Sequence, residues 1–160
     1  MRAGYEIDDI QSLIYAVFNK YTTDTAPWTS WTVKRGFPEE AYFDKQSKPF
    51  IYIDTPVLVA RNYSQGGQGV GNYELIVGCW DHRDHGGIEE VNIMTGHILD
   101  KINNTKALHS KEFDITLGAT TYSSTTLTAQ GVAVLSGVGP RNLSEAPKDF
   151  RHELTLTVRY

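Results

Sequence analysis

The chain has 160 residues, of which 40% are apolar, 11% aromatic and 21% charged. This composition predicts one globular domain over 1–160 and excludes a disordered chain. The net charge of −4, from 15 basic and 19 acidic residues, argues against a dedicated nucleic-acid-binding domain. No apolar run approaches the roughly 20 residues of a membrane helix, and acids near the N-terminus argue against a signal peptide. The single cysteine, Cys79, excludes an internal disulfide and a zinc site built from thiolates.

The first predicted element is an amphipathic helix over Tyr5–Tyr21. Its apolar residues recur at helical spacing, and they are Ile7, Ile10, Leu13, Ile14, Val17 and Phe18. The segment Thr22–Lys48 that follows has no clear period and predicts one short strand near Trp31 and then a loop. We expect Trp28 and Trp31 to pack beneath that loop.

Three strands are predicted next, because β-branched and aromatic residues dominate Phe50–Asp54, Val57–Arg61 and Tyr73–Trp80. The last two flank Asn62–Asn72, which contains four glycines. We therefore expect a β-hairpin with a long projecting tip that is either mobile or ordered by a partner. The glycines lead into a strand, and no Lys-Ser or Lys-Thr follows them, which argues against a nucleotide-binding loop.

A second amphipathic helix is predicted over Gly87–Asn103, with acids in its first turn. The residues on its apolar face are Ile88, Val91, Met94, Thr95, Ile98, Leu99 and Ile102. The last third predicts strands over Phe113–Leu117, Val132–Leu135 and His152–Tyr160, with a long loop at Gly137–Arg151. Together these elements predict an α+β fold with a largely antiparallel, mixed sheet and two helices packed on it.

The segment between the hairpin and the second helix has the composition of a metal site. Asp81, His82, Asp84 and His85 are all metal-ligating types. However, no further histidine or cysteine lies nearby in the sequence to complete a ligand set. The spacing favours a polar turn that caps the second helix.

The chain resembles the tail terminator, or tail-completion, proteins of long-tailed bacteriophages. The resemblance follows the order of elements and covers most of the chain: Asp8–Lys20, Phe50–Asp54, Val57–Trp80, Asp81–Asn103 and the strands ending at Tyr160. Locally, Val77-Gly-Cys-Trp80-Asp81 resembles the family's strand before a helix, and His152-Glu-Leu-Thr-Leu-Thr-Val resembles its closing strand. The chain departs from the family at Thr22–Lys48 and Gly137–Arg151, which leaves open a related neck or head–tail joining protein.

The resemblance implies a structural virion protein, not an enzyme, that needs no cofactor and no metal. It would form a ring, expected to be a hexamer, that caps the tail tube, stops tube polymerisation and meets the head connector. The implied partners are further copies of the chain, the major tail tube protein and the head-completion protein, and DNA would pass through the lumen without specific binding. The implied location is the head–tail junction of a virion made in the host cytoplasm.

The hairpin is the expected contact with a neighbouring subunit or with the last tube ring. The candidate contact residues are Arg61, Asn62, Tyr63, Ser64, Gln65, Gly66, Gly67, Gln68, Gly69, Val70, Gly71 and Asn72. Two alternatives stay open at this point: a small metal-binding domain or enzyme that uses the Asp81–His85 cluster, and an adaptor protein that does not self-assemble.

Overall fold

The computed structural model describes residues 4–39, 48–63, 69–103, 115–117, 119–122, 128–130, 135–136 and 149–159. Within these residues the helices are α1 (Glu6–Asp24) and α2 (Gly87–Asn103), and a 3-10 turn (Trp28–Ser30) follows α1. The strands are β1 (Thr32–Arg35), β2 (Phe50–Ile53), β3 (Val57–Tyr63), β4 (Gly69–His82), β5 (Ile115–Leu117), β6 (Thr120–Tyr122), β7 (Thr128–Gln130), β8 (Leu135–Ser136) and β9 (Asp149–Arg159). Neither described helix is long and apolar enough to cross a membrane.

Seven of these strands form one mixed sheet. Its path is β1-β2-β4-β9-β7, with β3 also paired to β4 and β8 also paired to β9. Strands β1 and β2 are parallel, and the other pairs of this sheet are antiparallel. Strands β5 and β6 form a separate two-stranded sheet. The predicted α+β class with a largely antiparallel sheet is confirmed.

The long strand β4 organises the sheet. Along one edge it pairs with β9 from Asn72 to His82. Along the other edge it pairs first with β3 and then with β2. The backbone N–H of Asp54, directly after β2, donates to the carbonyl of Ile76 in β4 at 2.8 Å, which extends the pairing between β2 and β4. Strands β2 and β3 therefore lie one after the other on the same side of β4.

Both helices pack on one face of the sheet, the helix-side face, and share one core. Alternate residues of β4 and β9 point into this core, as period-two strands require, and the predicted alternation of the last strand is confirmed. The buried apolar residues of the core are Ile10, Leu13, Ile14, Val17, Phe18, Tyr21, Trp28, Trp31, Ile51, Ile53, Tyr73, Leu75, Val77, Cys79, Val91, Met94, Ile98, Leu154, Leu156 and Val158. Trp28 and Trp31 are buried as expected, whereas most of the loop predicted above them lies outside the described residues.

Two residues that were predicted on the buried apolar faces of the helices are exposed, so the prediction is wrong for them. Ile7 is 43% exposed and Ile88 is 38% exposed. Each lies in the first turn of its helix, before the turns that pack on the sheet. Leu99 is only partly buried against the core, because it lies at the margin of the apolar face. The side chain of Ile102 lies outside the described residues, as does most of the predicted strand Val132–Leu135.

The opposite face of the sheet, the outer face, carries a second apolar group that the sequence patterns did not predict. This aromatic cluster consists of Phe50, Tyr52 and Trp80, all buried. The ring of Tyr52 lies over Gly78, where a Cβ atom would come within 1.9 Å of it. The Tyr52 hydroxyl donates to Oε1 of Glu153 at 2.5 Å. Glycine at position 78 is therefore needed to let the ring approach the strand.

Candidate functional site

The β3–β4 hairpin is longer in strand and shorter in loop than predicted. Strand pairing continues through Arg61↔Gly71, Asn62↔Val70 and Tyr63↔Gly69. The predicted tip over Asn62–Asn72 is therefore wrong in extent, because cross-strand hydrogen bonds outweigh the weak strand propensity of glycine. Seven of the predicted contact residues lie in the paired strands: Arg61, Asn62, Tyr63, Gly69, Val70, Gly71 and Asn72. The other five lie outside the described residues: Ser64, Gln65, Gly66, Gly67 and Gln68.

The hairpin extends past the body of the sheet. Strand β9 pairs with β4 only as far as Asn72, so in the described chain residues 69–71 of β4 pair with β3 alone. At about 3.3 Å per residue, these three pairs form a two-stranded ribbon roughly 10 Å long. The expected projecting hairpin is confirmed.

One glycine of this ribbon has a packing role. A Cβ atom on Gly71 would lie 2.6 Å from Cε2 of Tyr73, whose ring is on the same face two residues later. Tyr73 is buried, and its hydroxyl donates to Oε2 of Glu6 at 2.5 Å. Gly71 thus lets an aromatic side chain connect the base of the hairpin to the start of α1. The sequence signal for this contact was a glycine that lies two residues before an aromatic residue in a predicted strand.

The base of β3 exposes three successive apolar side chains, here called the β3 edge. Val57 is 63% exposed, Leu58 is 42% exposed and Val59 is 57% exposed. Leu58 lies opposite Tyr73 on the helix-side face, whereas Val57 lies opposite Glu74 on the outer face. In the described chain β3 pairs only with β4, so its other backbone edge is open. Sequence reasoning missed this surface and placed the contact further along the hairpin.

Two open grooves lie on either side of Thr55. The groove at the start of α1 is lined by Tyr5 and Ile7 and by the polar residues Glu6, Asp8 and Gln11. The other groove is lined by Val57 and Glu74, among others.

The acidic segment that connects β4 to α2 is a hydrogen-bonded turn. The buried carboxylate of Asp81 accepts from the backbone N–H of His82 at 2.8 Å and from that of Gly86 at 2.9 Å. Nδ1 of His85 lies 3.2 Å from the Asp81 carboxylate, and Nδ1 of His82 accepts from the N–H of Asp84 at 3.1 Å. These contacts form a hydrogen-bonded polar turn that ends at Gly86, directly before α2. Among the described residues, no three His, Cys, Asp or Glu side chains are grouped as a metal site.

Two further chemically active side chains are buried in the core. Burial raises the pKa of the Cys79 thiol to about 12, so the thiol stays protonated and is a weak nucleophile. His152 lies opposite Cys79 in the β4–β9 ladder, and burial lowers its pKa. Its Nδ1 atom is buried without a hydrogen-bond partner among the described contacts. Neither side chain lines one of the grooves described above.

Comparison with known proteins does not assign the chain to a family. No protein-family model matches it. No curated protein sequence matches it either.

Proposed function

We propose that the chain is a structural virion protein that caps the end of a phage tail tube as a ring. In this role it stops tube polymerisation and forms the interface to the head connector. The observation that carries the proposal is an apolar strand edge at the base of a projecting hairpin, formed by Val57, Leu58 and Val59, which has no pairing partner among the described residues. The resemblance to tail terminators in element order supports the same role.

The β3 edge supports self-assembly because soluble proteins normally protect such edges. Lysine, proline, a β-bulge, a very short strand or a covering loop is the usual protection. Strand β3 has seven residues, and its first four are Val57, Leu58, Val59 and Ala60. Its pairing with β4 shifts register once, between Leu58 and Ala60. An edge with this composition is a template for pairing with another chain.

The projecting ribbon supports contact with a second partner at a distance from the sheet. Its strands are paired from Val57↔Glu74 to Tyr63↔Gly69, with one register shift between Leu58 and Ala60, so the predicted contact segment Arg61–Asn72 begins and ends in paired strands. In a ring this segment would reach the neighbouring subunit or the last ring of the tail tube protein. The free energy of such a contact would offset the conformational entropy that is lost when a glycine-rich segment is ordered.

The charge of the chain fits a ring through which DNA passes. Each copy carries −4, and six copies would carry 6 × −4 = −24. A negative lumen does not trap phosphates, whereas a basic one would bind them. The proposed site of action is the head–tail junction of the virion, where the head-completion protein is the second partner.

The test replaces Ser64–Gln68 by a two-residue Asn-Gly turn, which keeps the register Tyr63↔Gly69. We expect a folded protein with a near-normal melting temperature that no longer caps tails, so that an assembly reaction gives overlong tubes in electron micrographs. The matched control carries Arg83→Ala and Asp84→Ala in the exposed turn at the other end of β4. Normal tail lengths with the shortened hairpin would contradict the contact role of the tip.

A further inference from the structure

The part of the hairpin that extends past the sheet, here called the arm, loses the support of a third strand at one position. The arm consists of residues 61–63 of β3 and 69–71 of β4. Strand β9 pairs with β4 only as far as Asn72, and in the described chain the arm strands pair only with each other. A two-stranded ribbon is marginally stable by itself. The hairpin can therefore bend at Asn72 without breaking the pairing of β4 with β9.

Strand β3 carries one extra residue at the same position. Leu58 lies opposite Tyr73, and the next pair is Ala60 with Asn72. Val59, between these two pairs, has no partner on β4. An extra residue on one strand of an antiparallel pair is a β-bulge, which bends the strand and increases its local twist. The bulge and the end of the pairing with β9 thus coincide at the base of the arm.

The side chain of Tyr73 connects the arm to α1. Its ring lies against Gly71 in the arm, where a Cβ atom would come within 2.6 Å of Cε2. Its hydroxyl donates to Oε2 of Glu6 at 2.5 Å, and Glu6 is the first residue of α1. Hydrogen bonds with an ionised acceptor are among the stronger ones in proteins. This hydrogen bond, here called the tether, therefore relates the direction of the arm to the position of the helix.

We propose that the arm turns about a hinge at Val59 and Asn72, and that the tether holds it in the observed direction. Hinges are a few residues that absorb the change in backbone angles, and an unpaired residue in a bulge is suited to that role. A bond that forms in only one direction of the arm shifts the population towards that direction. The inference goes beyond the proposed function, because it concerns the free protein and requires neither a ring nor a tail tube.

The first experiment removes the tether and measures hydrogen exchange of the arm amides by NMR. Tyr73→Phe keeps the ring and removes the hydroxyl, so exchange in the arm should become on the order of 10-fold faster. The matched control is Tyr52→Phe, which removes a hydroxyl that donates to Oε1 of Glu153 at 2.5 Å on the outer face. Exchange in the arm should be unchanged in this control. Since both variants lose one bond from a phenol to a carboxylate, their comparison separates the tether from a general loss of stability.

The second experiment removes the bulge. Deleting Val59 places Leu58 and Ala60 next to each other in β3 while both keep their present partners on β4, so the two faces continue to alternate without an extra residue. Val59 is 57% exposed, so the deletion removes no core side chain. The variant Val59→Gly keeps the extra residue and loosens it, which provides the opposite change at the same position.

The direction of the arm is measured by pulsed electron paramagnetic resonance between two spin labels. One label is placed at Tyr63→Cys, at the described end of β3, and the other at Glu89→Cys, on the exposed side of α2. Cys79 is buried and stays unlabelled. The distance distribution of the labelled parent should become narrower on deletion of Val59, and it should become broader in Val59→Gly and in Tyr73→Phe.

Three results would overturn the inference. They are equal effects of Tyr73→Phe and Tyr52→Phe on the arm amides, a distribution that stays as broad after deletion of Val59, and a distribution that neither Val59→Gly nor Tyr73→Phe broadens. Tail capping is measured separately with the same variants. Capping by a protein whose arm proves rigid leaves the proposed function standing and refutes the hinge, whereas a hinged arm in a protein that never caps tails does the reverse.

Discussion

Replacing Gly78 by alanine should damage the aromatic cluster on the outer face of the sheet. The new Cβ atom would lie 1.9 Å from Cζ of Tyr52 and 2.3 Å from its hydroxyl oxygen, so the ring must move away from β4. Overpacking of this kind costs about 1–3 kcal/mol. The displaced ring also loses its hydrogen bond to Glu153, worth about 1.5–3 kcal/mol when one partner is charged.

Alanine also lowers the backbone entropy of the unfolded chain, which offsets roughly 0.5–1 kcal/mol of these losses. The expected net loss is about 3 kcal/mol in the free energy of unfolding. Burial, followed by the hydrogen bond to Glu153, raises the pKa of Tyr52. The phenol is therefore neutral and able to donate at ordinary pH. Urea denaturation followed by circular dichroism and tryptophan fluorescence measures the loss.

Two controls isolate the clash. Gly96→Ala adds a methyl group to α2 where nothing lies within 4 Å, and it should stabilise the protein by roughly 0.5–1 kcal/mol. In a Tyr52→Leu background the outer ring atoms are missing, so Gly78→Ala should be close to neutral. A loss below about 0.5 kcal/mol in the wild type, or an equal loss in the leucine background, would refute the reasoning.

Three further predictions concern the core, the cap and pH. Ile98→Ala should cost about 2–5 kcal/mol in urea denaturation and Leu99→Ala clearly less, since only the former is fully buried; equal losses would contradict the assigned helix face. Asp81→Ala should cost about 1.5–3 kcal/mol by removing the charged acceptor of the N–H groups of His82 and Gly86. A chelator should leave the wild-type melting temperature unchanged, and a chelator-dependent shift would restore the metal interpretation. Because burial lowers the pKa of His152, the unfolded chain binds more protons, so stability should fall as the pH drops below about 6.5. His152→Phe should flatten that dependence in melting curves from pH 7 to pH 5, and an unaltered slope would assign the effect to other groups.

Local patterns of the sequence determined the helices, the β-hairpin and the alternation of the last strand. The helix over Gly87–Asn103 was predicted with its observed ends, because a 3.6-residue period and acids in the first turn depend only on neighbouring residues. The buried position of Cys79 within an apolar run followed from the same kind of information. The cap at Asp81 was predictable as well, since its bonds stay within five residues.

Only the tertiary structure decided which surfaces of these elements are covered. The pairing of Arg61 with Gly71 extended the hairpin into a glycine-rich segment whose own propensity predicts a loop. The contact between Tyr52 and Gly78 depends on two strands meeting in one register, and no local period encodes it. Likewise, Val57 is exposed because it lies on the outer face of a strand that, among the described residues, pairs with β4 alone. A run of apolar residues has the same sequence pattern in an edge strand as in a central strand. Local sequence cannot distinguish the two, because strand order is set by contacts between residues far apart in the chain.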